Sequence, residues 1–360
     1  MARLGLDGWR TAFANDLDPV KIRAYAANFG TEHLVHANVW TLGAGDLPTG
    51  RAGLAWASSP CQDLSLAGAR GGLSARRSGA FWGFWRLIEA LDAENRAPRL
   101  IVIENVLGLL TSRGGEDFRA LCDLLAAGGW RFGALEMDAA HWLPQSRPRL
   151  FVVATRGEGG PVSGGPVAPF HSRGVVTAWE GLSASAQAAW RWWRLPAPPL
   201  RNTDLATVLE ADDAVDWLDD AQAQRLLSLM SPLHRQRLDG LLAARERRVG
   251  AAYRRVRREA GERAQRLEVR FDGLAGCLRT PAGGSSRQFV IVAEAGRVRA
   301  RLLTAREALR LMGVPDGYDV PGPGGAALKV AGDGVAVPVV RALSDGLLSP
   351  LLGRTARAAA

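Results

Sequence analysis

Leu100-Ile-Val-Ile-Glu-Asn-Val106 is an apolar run rich in β-branched residues, and it delivers a carboxylate, Glu104, near its end. Two comparable runs accompany it: Trp56-Ala-Ser-Ser-Pro-Cys-Gln-Asp63 starts apolar and turns polar, and Gln145-Ser-Arg-Pro-Arg-Leu-Phe-Val-Val153 places two arginines before a third strand. Helical stretches, 81–93 and 117–127, alternate with such runs. This alternation is typical of a parallel sheet covered by helices and predicts an α/β fold.

The polar residues beside these runs predict a reactive site. In open α/β sheets the reactive groups gather at the carboxyl ends of the strands, so Cys61 and Glu104 are expected to share one crevice. A thiol has a pKa of ~8.5 and attacks as the thiolate. Burial would raise the pKa of Glu104 and let it donate a proton. Arg147 and Arg149 would point the same way in an extended segment, so one could bind a base and the other could orient Glu104. A thiol, a carboxylic acid and a pair of guanidinium groups are the groups needed to attack C6 of a pyrimidine, protonate its N3 and bind its O2. Together they indicate chemistry on cytosine.

From about residue 9 to the C-terminus the chain resembles the cytosine-C5 DNA methyltransferase family, of the bacterial restriction-modification type. The segments that carry the resemblance stand in family order: Pro60-Cys61-Gln62, Glu104-Asn105-Val106, Gln145-Ser-Arg147-Pro-Arg149, 279–288, 303–313 and 332–340. The resemblance implies a Rossmann-like domain that depends on S-adenosyl-L-methionine, with an inserted smaller target-recognition domain. It also implies that a Cys61 thiolate adds to C6 before C5 receives the methyl group.

The resemblance also implies the cofactor-binding residues. Asp16 would bind the ribose hydroxyls, and Asn38 would stand in place of a carboxylate and accept a hydrogen bond from the adenine amine. The other implied positions are Leu17, Val39, Pro60, Ala80, Asp333 and Gly334. The family's first strand and glycine-rich turn are expected to be missing before Trp9. Either the start codon is assigned too late or the chain is a degenerate copy.

Composition predicts an intracellular, cytoplasmic protein with more than one domain. The chain has 360 residues, of which 47% are hydrophobic, and it shows no targeting segment or membrane span. Its three cysteines are far apart and odd in number, which predicts neither a disulfide framework nor a metal site.

A net charge of +9 favours a polyanionic partner. Ten arginines and four glutamates lie between Arg245 and Arg270, a stretch expected to be a helix that contacts phosphates; a merely exposed helix is the alternative. The predicted DNA-binding residues are Arg254, Arg255, Arg257, Arg258, Ser285 and Arg287.

Changes in composition predict the domain order. Residues 1–156 would form the first part of the catalytic domain, 157–170 a linker, 171–272 the target-recognition domain, and 273–360 its end and the return to the catalytic domain. The tryptophans of 190–194 could stack on bases, but packing against the amphipathic run 226–233 is the expectation.

The combined interpretation is a monomeric methyltransferase that acts on double-stranded DNA. A cognate restriction endonuclease would be a functional partner without necessarily binding it. Two alternatives stay open: methylation of cytosine in RNA, and a remnant that binds DNA without catalysis.

Overall fold

The computed structural model describes residues 1–59, 79–259, 262–280 and 287–354. The strands are β1 Ala14–Asp16, β2 Leu34–His36, β3 Leu54–Ala57, β4 Leu100–Asn105, β5 Arg131–Asp138, β6 Pro148–Thr155, β7 Val162–Ser163, β8 Trp192–Trp193, β9 Arg248–Glu259, β10 Glu262–Arg270, β11 Phe289–Glu294 and β12 Arg297–Leu302. The helices are α1 Ala2–Gly5, α2 Pro19–Phe29, α3 Ala80–Ala93, α4 Glu116–Ala127, α5 Arg173–Glu180, α6 Ala184–Ala189, α7 Asp220–Leu227, α8 Pro232–Ala244, α9 Ala305–Arg310, α10 Gly324–Asp333, α11 Val337–Leu343 and α12 Ser349–Leu351. The predicted α/β class is confirmed.

A four-stranded sheet in the order β3-β4-β6-β5 forms the centre of the first predicted domain. Every residue of β4 is buried. Leu100 and Val102 face one apolar cluster, and Ile101 and Ile103 face a second cluster on the other side of the sheet. A strand covered on both faces is a continuous apolar run, which explains why this segment is so clear in the sequence.

The parallel arrangement expected for this sheet holds for one of its three strand pairs. β3 and β4 are parallel, but β6 runs antiparallel to both β4 and β5. The physical reason is the short connection 139–147 between β5 and β6, since a parallel crossover needs about a dozen residues or more. The parallel β3–β4 pair is the part that brings two carboxyl ends to the same edge.

Strands β1 and β2 form a separate parallel pair. In the part of the chain that the structure describes, this pair is not hydrogen-bonded to the central sheet. Helix α2 starts almost directly after β1, because Asp18 accepts hydrogen bonds from the backbone N–H groups of Val20 and Lys21, and Pro19 occupies the first helical turn. Asp16 therefore lies between the end of a strand and the start of a helix.

The tryptophans of 190–194 pack against the central domain, so the expectation that they pack against 226–233 is wrong. The ring centroid of Trp190 is 6.3 Å from that of Phe118 and 5.8 Å from that of Phe132. Trp193 is 1% exposed and donates a hydrogen bond to a carbonyl of β6. These side chains are core residues rather than a surface for stacking bases.

Helices α5 and α6 join the same core. Val175 and Ala186 are fully buried in the cluster that covers one face of the central sheet. The predicted domain boundary at residue 171 stays a prediction, but this packing favours a boundary after Trp193.

A second four-stranded sheet is antiparallel, in the order β10-β9-β11-β12. The expectation of a helix between residues 245 and 270 is therefore wrong. Leu267 and Val269 are buried, whereas Glu268 between them and Arg270 after them are only partly buried, which is the period of a strand. Strand β9 pairs with β11 only over 248–252. The remainder of β9 and β10, residues 253–259 and 262–268, continues as a two-stranded ribbon that we call the hairpin arm.

The chain ends in helices α9, α10, α11 and α12. Thr304 caps α9, and Glu307 of this helix forms an ion pair with Arg301, in which the N–O distance is 2.6 Å and both side chains are at most 1% exposed. None of the helices in the described ranges has the length and apolarity needed to span a membrane.

Candidate active site

Glu104 lies near the carboxyl end of β4 and is 8% exposed. Its Oε1 is 3.3 Å from Nε of Arg149 on the neighbouring strand β6. Burial raises the pKa of Glu104, although Arg149, a hydrogen bond with Ser58 and the charge of Arg147 all act in the opposite direction. The raised pKa expected from the sequence is thus confirmed: the cost of burying a carboxylate exceeds the benefit of two nearby cations.

The segment that follows β3 is hydrogen-bonded to the end of β4. Nδ2 of Asn105 donates a 3.2 Å hydrogen bond to the backbone carbonyl of Ser59, and the side chain of Ser58 contacts Glu104. Pro60 and Cys61 follow immediately but lie outside the described residues. The position of the expected nucleophile beside Glu104 therefore stays a prediction, which the anchoring of the two preceding serines supports.

Arg147 holds distant segments together. It is 2% exposed, and its guanidinium donates hydrogen bonds to the carbonyls of Leu278, Gly332 and Gly334 at 2.8, 2.7 and 2.6 Å. Burial, together with the charge of Arg149, lowers the pKa of Arg147 to about 10. It still carries its proton at neutral pH, and its terminal nitrogens are occupied by backbone carbonyls.

Arg149 is the arginine that contacts the acid. Besides the contact of its Nε with Glu104, its NH1 donates to the carbonyl of Pro148 at 2.9 Å. The sequence left open which of Arg147 and Arg149 orients Glu104, and it is Arg149 whose guanidinium contacts that carboxyl group.

Cys277 is a member of this site that the sequence did not predict. Its Sγ is 3.5 Å from NH1 of Arg147 and 3.8 Å from both NH1 and NH2 of Arg149. It stands two residues before Arg279, at which the recognised segment 279–288 begins. The position of Cys277 directly before that segment was the signal in the sequence that could have identified it as a site residue.

The described cofactor candidates form two groups, and each begins at the carboxyl end of one strand of the parallel β1–β2 pair. Lys21 joins the first group, with its Nζ 4.0 Å from Asp16 and 3.1 Å from Asp333, the residue before Gly334. Burial opposes the charge of Lys21, but the two carboxylates raise its pKa above the ordinary value. Leu17, next to Asp16, is 62% exposed.

The second group surrounds the end of β2 and the start of α3. Oδ1 of Asn38 accepts a 3.1 Å hydrogen bond from the backbone of Trp40, whose indole donates to the Gly79 carbonyl beside Ala80. Val39 packs so closely against α3 that a Cβ atom at Gly83 would lie 2.6 Å from it. Pro60, the remaining candidate, lies outside the described residues.

The predicted DNA-binding arginines belong mainly to the hairpin arm. Arg255 and Arg257 form ion pairs with Glu268, and Arg254 lies 5.6 Å from the ring centroid of Phe289. Arg258 is directly opposite Arg263. Of the two remaining candidates, Arg287 donates a 2.8 Å hydrogen bond to the carbonyl of Leu303, and Ser285 lies outside the described residues.

Sequence comparison matches residues 2–175 and 237–349 to the family described as C-5 cytosine-specific DNA methylase. Type II methyltransferase M.HaeII of Haemophilus aegyptius is 24% identical over 352 residues, which cover 97% of this chain and 90% of that protein. Type II methyltransferase M1.ScrFI of Lactococcus lactis subsp. cremoris is 23% identical over 345 residues, with 95% and 73% covered. The first matched range contains Glu104 and Arg149, and the second contains Cys277 and Asp333.

Solved structures of two methyltransferases share the fold. The Dnmt2 methyltransferase of S. pombe superposes with a TM-score of 0.56 at 17% identity and covers 95% of this chain and 91% of its own. The Entamoeba histolytica methyltransferase EhMeth gives a TM-score of 0.56 at 14% identity, with 98% and 94% covered. At these identities the similarity concerns the fold alone.

Proposed function

Because the chain belongs to the C-5 cytosine-specific DNA methylase family, we propose that it transfers a methyl group from S-adenosyl-L-methionine to C5 of a cytosine in a specific duplex DNA sequence. The observation that carries this proposal is the contact between the buried Glu104 and Arg149, next to the anchored segment that leads into Cys61. A proton donor and a fixed cation thus lie beside Ser58 and Ser59, the residues that lead into the expected nucleophile.

The reaction begins with attack by the Cys61 thiolate. A bond forms between Sγ and C6, and the displaced electrons reach N3, which takes a proton from Glu104. C5 then carries the electron density needed to accept a methyl group. S-adenosyl-L-methionine supplies that methyl group when bound. Transfer of the C5 proton to a water molecule acting as base restores the C5–C6 double bond and expels the thiolate, and the N3 proton returns to Glu104.

Glu104 must be protonated to begin this sequence. Its burial favours the neutral carboxylic acid, and the same burial strengthens its hydrogen bond to N3 by excluding water. Arg149 then binds O2 of the base and stabilises the negative charge that develops as C6 is attacked. Because C5 and C6 are enclosed within a duplex, the cytosine must rotate out of the helix before it reaches these groups.

The described residues fit the adenosine half of the cofactor. Asp16 offers a partly exposed carboxylate for the ribose hydroxyls, and Leu17 offers an exposed apolar surface beside it. Asn38 lies two residues beyond the partner of Asp16 on the parallel strand β2, and its amide oxygen retains a second lone pair for an exocyclic amine. Asp333 would join them from the end of α10.

The hairpin arm supports a duplex DNA partner. Arg255 faces Arg266, and Arg258 faces Arg263, directly across the two strands. Like charges in such positions destabilise a hairpin, and phosphate groups would relieve the repulsion. A two-stranded ribbon also has a width that the major groove of DNA admits. We propose that Arg254, Arg255, Arg257 and Arg258 contact DNA phosphates, and that Ser285 and Arg287 also contribute to DNA binding.

Trapping on fluorinated DNA tests the proposal. In DNA prepared with 5-fluorodeoxycytidine in place of every deoxycytidine, attack by Cys61 and methyl transfer proceed, but fluorine cannot leave C5 as a cation. With S-adenosyl-L-methionine present, we expect a protein–DNA complex that survives denaturing electrophoresis. Cys61→Ser should give none, because its alkoxide is far harder to form than a thiolate, while its DNA affinity should be largely retained.

The alternatives predict different outcomes. A remnant that binds without chemistry would give only complexes that dissociate in detergent. An RNA methyltransferase would give the stable adduct with 5-fluorocytidine RNA of mixed sequence and not with the DNA. Either result would replace the proposed function.

A further inference from the structure

Cys277 lies where the free end of Arg149 points. The Nε of Arg149 faces Glu104, and its NH1 donates to the carbonyl of Pro148. The Sγ of Cys277 is 3.8 Å from NH1 and also 3.8 Å from NH2. Within the part of the chain that the structure describes, NH2 of Arg149 has this sulfur as its hydrogen-bond partner. The thiol therefore lies beside NH1 and NH2 of Arg149, the nitrogens that would donate hydrogen bonds to a carbonyl oxygen of the substrate.

The backbone on both sides of Cys277 is fixed by buried polar side chains. Gln288, 6% exposed, forms two hydrogen bonds with the backbone of Gly276, at 2.8 and 3.1 Å. Gln145, fully buried, accepts a 3.1 Å hydrogen bond from the N–H of Leu278, whose carbonyl is bound by Arg147. Burying two amides and a guanidinium is costly unless each is satisfied, so the position of this one thiol is strongly determined.

Sulfur is a weak hydrogen-bond acceptor, and 3.8 Å is a long contact even for sulfur. It can orient a guanidinium, but a carbonyl oxygen replaces it at little cost. Arg147 also has a buried Nε without a hydrogen-bond partner among the described residues. Arg147 thus retains an unused donor beside Arg149.

We infer that Cys277 is a positioning residue: its thiol holds the free end of Arg149 in line with Glu104 until O2 of the target cytosine takes its place. This inference rests on the proposed function, since it assigns O2 to Arg149. It adds a residue outside the segments by which the family was recognised.

Two substitutions separate positioning from packing. Cys277→Ala removes the acceptor, and Cys277→Ser supplies a stronger one of nearly the same size. We expect Cys277→Ala to slow single-turnover methyl transfer to unmethylated plasmid DNA by about tenfold to a hundredfold, the range expected for a misplaced catalytic group, with DNA affinity unchanged. Cys277→Ser should recover most of that rate. Cys122→Ala, at a buried cysteine of α4, is the matched control and should keep the wild-type rate.

The pH profile gives an independent measure. Arg149 opposes the rise in the pKa of Glu104. If Cys277→Ala lets Arg149 move away, that pKa rises further and the protonated acid persists to higher pH. The alkaline limb of the rate profile should then shift upward in Cys277→Ala and stay in place in Cys277→Ser. A purely structural role would lower the rate without moving the limb.

Alkylation tests the inference without relying on a folded Cys277 variant. In Cys61→Ser, iodoacetamide should modify Cys277 at least about tenfold more slowly when unmethylated plasmid DNA and S-adenosylhomocysteine are bound, because the rotated base covers the thiol. Equal alkylation rates with and without DNA, or a wild-type rate in Cys277→Ala, would overturn the inference. If instead the wild-type protein transfers no methyl group to DNA, the proposed function fails.

Discussion

Replacing Arg147 and Arg149 separately by methionine should give opposite phenotypes. Methionine retains the apolar stem of arginine and removes the guanidinium. Arg147 donates three hydrogen bonds of 2.6 to 2.8 Å to backbone carbonyls. Hydrogen bonds that involve a charged group are worth about 1.5 to 3 kcal/mol each, and part of that gain is offset by the cost of burying the charge. We therefore expect Arg147→Met to lower the free energy of unfolding by ~3 to 5 kcal/mol.

Arg149→Met should behave differently. It leaves Glu104 without its cation, but the pKa of that carboxyl is already raised, so the group can bind a proton instead of remaining a buried charge. The expected loss of stability is about 1 kcal/mol, that of one hydrogen bond. Methyl transfer should nevertheless fall by about a hundredfold or more, because the charge that develops on the base loses its stabilising group.

Thermal unfolding followed by circular dichroism distinguishes the two variants. At about 2 to 4 °C for each kcal/mol in a domain of this size, Arg147→Met should unfold at least ~6 °C below the wild type and Arg149→Met within ~4 °C of it. Transfer of a tritiated methyl group to unmethylated plasmid DNA measures activity. If Arg147→Met keeps the wild-type unfolding temperature, or if Arg149→Met is the less stable variant, the division of roles between the two arginines is wrong.

Three further predictions concern the acid, the cofactor and the DNA. Since burial raises the pKa of Glu104 in the folded state, its contribution to stability is lost as pH rises from the ordinary value of 4.5 through the raised one. The melting temperature of Glu104→Gln should therefore increase relative to that of the wild type as pH rises from 4 to 9, while its methyl transfer is largely lost. A difference in melting temperature that does not change with pH would contradict the burial argument. Asp16→Ala should weaken S-adenosyl-L-methionine binding in calorimetry by about tenfold or more, the value of one charged hydrogen bond, and an unchanged affinity would remove Asp16 from the cofactor site. Replacing Arg254, Arg255, Arg257 and Arg258 by glutamine should flatten the dependence of the logarithm of the DNA association constant on log salt by up to ~0.9 for each phosphate that the hairpin arm no longer neutralises. Arg297→Gln, on the opposite edge strand of the same sheet, is the control and should keep the wild-type slope. Equal slopes in both variants would show that the hairpin arm makes no contact with DNA phosphates.

The elements that the sequence predicted well are those whose signal is local. Strand β4 is buried on both faces, so its apolar run and the carboxylate near its end are visible without any knowledge of its neighbours. That Arg147 or Arg149 would orient Glu104 was expected from motifs beside the strands, but the sequence left open which of the two does so. The direction of the pKa shift of Glu104 also required only its burial.

The hairpin arm could not be predicted in this way. Arginine, alanine and glutamate favour helices when each is considered alone, and the stretch 245–270 is rich in all three. What makes it a hairpin is pairing across the chain: Ala252 lies opposite Val269 and also pairs with Phe289. Tertiary contacts of this kind override weak local propensity.

Cys277 was missed for a related reason, since its importance depends on partners that are distant in sequence. Arg147 and Arg149 are more than a hundred residues away, and so is Gln145, which fixes the following residue. Spacing along the chain contains no sign of such a cluster. The composition gave only an odd number of cysteines, and this excluded a disulfide framework without indicating what each thiol does.

The same cluster connects the residues proposed to bind the cofactor with those proposed to bind the base. Arg147 precedes β6 and binds the carbonyls of Gly332 and Gly334, the residues on either side of Asp333. Thr280, three residues after Cys277, donates a hydrogen bond to the Asp333 carboxylate. A Cβ atom at Gly332 would collide with the backbone at Thr280, so only glycine permits this approach. A shift of the segment that carries Asp333 would therefore move Cys277 and, through it, the free end of Arg149. We therefore expect binding of the cofactor at Asp333 and acceptance of the base at Arg149 to be energetically coupled, with each ligand changing the affinity for the other by the same factor.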